Sequence, residues 1–304
     1  MEHVQKSGAD PPLNSGQEQL ASLGDEMACP TLREWRPGAA VCGLSPSEIG
    51  VWLVELDLGL TTQAEIDGAE PELDVLDGEE RLRAARFVRA RDRRRFARCR
   101  SGLREILGGL LGERPEALRF RAVARGKPEL DFPATAEGRP PLRFNLSHSA
   151  DLAAIAVCHS HELGIDLEQL RAIGEAERIV ESFFSVTEQA AFARIALEAR
   201  PLAFVRGWTR KEAILKGLGV GIAGLADRVE TGFGTGEVPA RFAPALPSSR
   251  VGQWRIWEAS PRPGFVATVA CQADSVAGTG STAGTAGGRS ASSPSPDSGA
   301  DSVH

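Results

Sequence analysis

The stretch FVRGWTRKEAILKGLGVG, Phe204 to Gly221, decides how this chain is read. In a helix, Trp208, Lys211, Glu212, Leu215 and Lys216 fall at i, i+3, i+4, i+7 and i+8, a spacing that predicts one shared face. A carboxylate and an ammonium one turn apart, beside an indole, can form the edge of an active site. The same Glu–Lys spacing also stabilises any exposed helix by about 0.2–0.5 kcal/mol. The segment therefore takes its meaning from what surrounds it.

The chain has 304 residues, 42% of them hydrophobic, enough for one large core or two ordinary ones. A net charge of −6 argues against a dedicated nucleic-acid binder. Ten arginines nonetheless crowd Arg81 to Arg100 on a predicted helix. As an RNA or DNA groove the run lacks interleaved aromatics beyond Phe87 and Phe96, and a mixture is expected, a few arginines meeting a ligand phosphate and the others exposed. The cysteines Cys29, Cys42, Cys99, Cys158 and Cys271 are scattered, with neither a CxxC pair nor a Cys/His zinc spacing. They predict reduced thiols in a cytoplasmic protein. No signal-sequence pattern opens the chain and no apolar run reaches the length of a membrane span, so no membrane partner is expected.

Residues 1–47 are polar and rich in Pro, Gly and Glu and predict a disordered extension, matched by a low-complexity Gly/Ser/Thr/Ala tail over 274–304. Between them, Val51 to Leu58 reads as a strand, Leu76 to Val88 and Asp92 to Leu111 as helices, and Phe120 to Val123 as a short strand before the turn Gly126-Lys127-Pro128. Leu152 to Val157 and Leu163 to Leu167 are strands, Ala176 to Phe183 and Val186 to Leu197 helices. Three closing strands span Arg228 to Thr231, Trp254 to Ala259 and Val266 to Cys271. The order strand, helices, strands thus occurs twice, which points to an internal duplication with a cleft between halves at 48–158 and 159–273, where ligands tend to bind.

Asp166 and Glu168 stand two apart in a predicted strand and leave the same side of it. Alone, such a pair is more often just the solvated start of a loop. If Glu212 joins them within about 5 Å, each pair repels by roughly 3 kcal/mol at an effective dielectric near 20, and the cluster requires a cation. All-oxygen donors completed by water and substrate phosphate are the Mg²⁺ pattern. Phosphate in turn needs basic partners, and Lys216, Lys211, Lys127, His148 and the arginine helix are available. Ser147, His148 and Asp151 lie too close in sequence for a hydrolase triad, and no GxSxG elbow occurs. Gly219 to Gly224 matches GxGxxG but follows a helix, so it reads as a cap and loop; no GxxxxGK[ST] loop exists.

Four motifs in order, FNLSHS (Phe144 to Ser149), LGIDLE (Leu163 to Glu168), FFSVTE (Phe183 to Glu188) and WTRKEAILK (Trp208 to Lys216), resemble those of the Sfp-type 4′-phosphopantetheinyl transferases. The resemblance spans about Val51 to Ala273. It implies an α+β pseudo-dimer of two similar halves with coenzyme A and Mg²⁺ in the cleft between them. It also implies transfer of the phosphopantetheine arm to a serine of an apo acyl or peptidyl carrier protein, with release of adenosine 3′,5′-bisphosphate. By motif, Asp166, Glu168 and Glu212 would hold the metal, Lys216 would neutralise the leaving phosphate and Lys211 would contact the pyrophosphate or pantetheine. Ser147 and His148 would take the 3′-phosphate side, Gly126, Lys127 and Pro128 would line the adenine pocket, and Arg81, Arg83 and Arg95 would add phosphate contacts. Where the family places lysines at this helix entrance, the chain has Glu80 and arginines.

That chemistry needs charge offset on the pyrophosphate, a stabilised leaving group and a base, for which Glu212 and Glu188 are the candidates. The competing readings are a non-catalytic nucleotide- or RNA-binding protein that uses the arginine helix, and a hydrolase of coenzyme A or a related pyrophosphate. A chain that supplies both sides of its own cleft is expected to be a monomer.

Overall fold

The computed structural model describes residues 28–272 except 42, 58, 61, 63, 66–72, 123–126, 132–141, 160, 172, 222–224, 235–240 and 243–253. Strands β1 (Thr31–Glu34), β2 (Gly50–Glu55), β5 (Leu142–Ser149) and β6 (Leu152–His159) form a four-stranded sheet in the order β1-β2-β6-β5. Strands β7 (Leu163–Gln169), β10 (Trp254–Ala259) and β11 (Phe265–Gln272) form a second, antiparallel sheet in the order β10-β11-β7. Two small ribbons, β3 (Phe120–Ala122) with β4 (Pro128–Leu130) and β8 (Val229–Glu230) with β9 (Arg241–Phe242), complete the strands described. The helices are α1 (Gly78–Ala85), α2 (Ala90–Leu111), α3 (Ala176–Phe183), α4 (Val186–Ala193) and α5 (Arg200–Leu218), so the class is α+β as expected.

Alternation along β6 explains the layering. Its Leu152, Ala154, Ala156 and Cys158 join Val51 of β2 and pack against Leu163, Ile165, Leu167, Ala267 and Val269, so one face of each sheet meets the other. Its Ala153, Ile155 and Val157 face the opposite way, where Leu103, Ile106 and Leu107 of α2 cover them. On the far side, Ala213, Ile214 and Leu215 of α5 cover Trp254, Ile256 and Ala270 of the second sheet. The resulting order is helix, sheet, sheet, helix. Each fully buried Val, Leu or Ile side chain in these layers contributes roughly 1.5–3 kcal/mol.

The two long helices end alike, on Gly112 and Gly219 at φ +73° and +68°, where a side chain would be strained. Among the described residues no helix is long and apolar enough to cross a membrane. Order begins earlier than the polar composition of 1–47 predicts: β1 pairs in parallel with β2, and Trp35 behind it is buried. Four residues in a polar context are too short for their period to register. Most of that extension, and the whole tail over 274–304, lies outside the described residues, as does Gly126.

Candidate active site

Gly164, Asp166 and Glu168 occupy alternate positions of β7 and share a face, while Leu163, Ile165 and Leu167 fill the core between the sheets. A Cβ on Gly164 would sit 1.9 Å from the carbonyl oxygen of Ala213 and 2.5 Å from the nitrogen of Gly217. The bare glycine therefore lets α5 approach β7 closely, on the strand face that carries the acids. Glu212 and Lys216 of α5 are thereby brought beside them. Together with Trp208, Leu146, Ser147 and His148 these groups line a cavity of about 400 Å³.

Asp166 is the centre of this cluster and is buried. Its Oδ1 accepts from Lys216 Nζ at 2.6 Å and from Ser147 Oγ at 2.9 Å; its Oδ2 is buried without a hydrogen-bond partner among the described residues. Lys216 Nζ also donates to Ser147 Oγ at 2.9 Å. Burial, followed by the charge of Asp166, pushes the Glu212 carboxyl above the usual range. Burial does the same for Glu168, again with Asp166 adding to it, while a hydrogen bond from Ser149 Oγ at 2.8 Å opposes the shift. Poor hydration, then Lys216, then Arg95 lower the pKa of His148, with Asp166 opposing them.

Among the described residues no three His, Cys, Asp or Glu groups stand in chelating geometry. The donor chemistry nevertheless fits a hard cation. Three carboxylates line one cavity with Lys216 the cation among its lining residues, two are raised in pKa by burial and then by the charge of Asp166, and the third keeps a buried oxygen without a partner among the described residues.

Other expected site residues lie elsewhere. Lys211 and Glu188 are paired with each other in the interior, Nζ to Oε2 at 2.6 Å. Lys211 donates also to the carbonyls of Ala226 and Val229, and Glu188 Oε1 accepts from the backbone N–H of Thr231 and Gly232. Glu188 further closes a capping box with Ser185 at the start of α4. The pair thus clamps α4 and the 226–232 segment to α5, and neither lines the acid cavity. The single face predicted for Trp208, Lys211, Glu212, Leu215 and Lys216 is split: Trp208, Glu212 and Lys216 line the cavity, whereas Lys211 and Leu215 are fully buried. Lys127 donates to Glu162 at 3.1 Å and to the carbonyl of Gly217 at 3.1 Å, capping the end of α5.

The arginine helix is largely tied inward. Arg94 and Arg95 both pair with Asp57, Arg98 donates to the Glu55 carbonyl, and Arg100 and Arg104 converge on Glu80. Arg104, wholly buried, also reaches Asp77 and the carbonyls of Pro115 and Leu118. Glu80 is thus the joint between α1 and α2, which corrects the expectation that the arginines outside a ligand site stand exposed. Arg81 is exposed and donates to the Asp74 carbonyl. Arg83 lies over the Phe96 ring and, with Arg86, Phe87, Arg100, Phe120 and Pro128, lines a larger cavity of about 750 Å³. The structure brings Arg83 and Pro128 together there, but Arg81, Arg95 and Lys127 do not line it. Ser149, the partner of Glu168, has no place among the expected site residues; its period-two spacing from Ser147, matching that of Asp166 and Glu168, was the available signal.

The chain matches two family models, 4′-phosphopantetheinyl transferase, N-terminal, over residues 67–160 and the 4′-phosphopantetheinyl transferase superfamily over residues 162–270. It is 36% identical over 238 residues to the 4′-phosphopantetheinyl transferase HetI of Nostoc sp., covering 78% of this chain and 92% of that protein. It is 29% identical over 201 residues to the human L-aminoadipate-semialdehyde dehydrogenase-phosphopantetheinyl transferase, 64% of this chain and 63% of that one. Over 84 residues it is 40% identical to the 4′-phosphopantetheinyl transferase AcpT of Salmonella typhi, 28% of this chain and 43% of that one. The two models together span every residue that lines the cavity, Leu146 to His148 in the first and Asp166 to Lys216 in the second, and the chain belongs to the 4′-phosphopantetheinyl transferase superfamily.

Proposed function

We propose that the enzyme transfers the 4′-phosphopantetheine arm of coenzyme A to a serine of an apo acyl or peptidyl carrier protein, with Mg²⁺, releasing adenosine 3′,5′-bisphosphate. The observation that carries this reading is the meeting of Asp166, Glu168, Glu212 and Lys216 around one cavity. Asp166, Glu168 and Glu212 would hold Mg²⁺, which when bound offsets the charge of the pyrophosphate. Lys216 neutralises the phosphate that departs as the serine oxygen bonds to the phosphorus of the pantetheine side and the bridging P–O bond breaks. With Glu188 engaged by Lys211 away from the cavity, Glu212 is, of the two candidate bases, the one that lines the cavity and would take the hydroxyl proton.

For the nucleotide end of coenzyme A the larger cavity is proposed, where Arg83 and Arg86 offer phosphate contacts and Phe87, Phe96 and Phe120 offer rings to the base, beside the carboxylates Asp77, Glu79 and Glu80. The division at 48–158 and 159–273, and its reading as a pseudo-dimer with the site in the cleft, is supported by the helix, sheet, sheet, helix order and by the break between the two matched models at residues 160 and 162. Cys29, Cys99, Cys158 and Cys271 form no disulfide among the described residues, in keeping with a reducing, cytoplasmic setting. A single chain carries every group of the cavity, so a monomer suffices. The test is release of adenosine 3′,5′-bisphosphate from coenzyme A in the presence and absence of apo carrier protein. Release that depends on the carrier supports transfer; equal release without it would make the protein a hydrolase.

A further inference from the structure

Strands β5 and β7 run side by side at the edges of two different sheets, and no backbone ladder joins them. An unladdered edge leaves buried donors in need of partners. Alternate side chains of β5 supply them. Asn145 Oδ1 accepts the N–H of Ile165 at 2.9 Å, Ser147 Oγ donates to Asp166 at 2.9 Å, and Ser149 Oγ accepts the N–H of Gln169 at 3.1 Å while donating to Glu168 Oε2 at 2.8 Å.

We infer that Asn145 and Ser149 are positioning residues of the transfer reaction: a side-chain seam that sets the register of β7 and aims its carboxylates into the cavity. A backbone ladder would fix the strand but leave its acids free to rotate. The seam does both, because one hydroxyl, that of Ser149, holds the Gln169 backbone and the Glu168 carboxylate together. Asn145 anchors the same strand one residue before Asp166, so both acids are bracketed from β5. Period-two spacing is what makes this possible, since residues 145, 147 and 149 leave one side of their strand.

The inference rests on the Mg²⁺-dependent reading above, and its test separates the two. Ser149→Thr and Ser149→Val have the same shape and suit a strand equally, differing only in the hydroxyl. Mg²⁺ is titrated calorimetrically into the full chain with saturating coenzyme A and no carrier protein, so that no turnover occurs. The wild type and Ser149→Thr should bind Mg²⁺ alike, and Ser149→Val about tenfold to a hundredfold more weakly, as for other partners that orient a ligating group. The KM for coenzyme A should be the same in all three. Equal Mg²⁺ affinity in the Thr and Val variants would reduce the seam to scaffolding and overturn the inference while leaving the proposed function intact. A wild type that binds no Mg²⁺ would overturn both.

Discussion

Lys211 and Lys216 stand five residues apart on α5 and serve opposite ends. Lys211 is sealed inside on Glu188 and two carbonyls, whereas Lys216 reaches the cavity acids. Removing one partner of a buried ion pair leaves the other charge stranded, so Lys211→Met should cost about 3–5 kcal/mol of stability. The denaturant midpoint will read that loss; a midpoint unchanged from wild type would contradict the clamp. Glu212 behaves in the reverse sense. Burial and then Asp166 raise its pKa, so the folded chain holds a proton that the unfolded chain has released. Its contribution is therefore present at acid pH and lost as pH rises through the folded pKa. Glu212→Gln should raise the melting temperature at mildly alkaline pH in chelator, with a gain that shrinks toward the ordinary glutamate range, even as transfer falls. A lower melting temperature there would show that the carboxylate is not crowded. Carboxylates were the legible residues, because a short run such as Gly-Ile-Asp-Leu-Glu sets their spacing; the pairing of Lys211 with Glu188, 23 positions away, is written in no local pattern.

Helix α5 shows why the five-residue face divides. At about 100° per residue, Lys211 lies about 60° to one side of Trp208 and Lys216 about 80° to the other, an arc wide enough to straddle cavity and core. The i, i+3, i+4 rule names neighbours, not a plane. The close approach of α5 to β7 depends on Gly164, and Gly164→Ala would force a methyl against the Ala213 carbonyl. The expected cost is about 1–3 kcal/mol or more, with transfer reduced further than the folded fraction because Glu212 and Lys216 are carried away from Asp166. Thermal unfolding and transfer measured side by side check this; an alanine variant with wild-type stability would mean that helix and strand are not in contact. The long helices and β6, β7, β10 and β11 were legible from periodicity and apolar runs. Strand β5 was not read, although Leu142, Phe144 and Leu146 alternate onto the core beneath α2, because its other face carries Asn145, Ser147 and Ser149, polar groups that bind the neighbouring strand and mask the apolar period.

Across the whole chain, the layers put the arginine helix on one sheet and the acid-bearing helix on the other, with β5 and β7 as the seam between them. The mixture of strands and helices was visible in the sequence; the fate of the arginines was not, since Asp57 and Glu80 that absorb them lie on other elements. In solution the full chain should elute at the size of one copy, and a dominant dimer would contradict the monomer. The most direct trial is the intact mass of an apo carrier protein after incubation with coenzyme A, saturating Mg²⁺ and either the wild type or Asp166→Asn. The wild type should add one phosphopantetheine to the carrier, and the variant should do so at least about 100-fold more slowly, the scale of losing one key electrostatic group. No adduct from the wild type, or equal rates from both, would contradict transfer at the Asp166, Glu212 and Lys216 cavity.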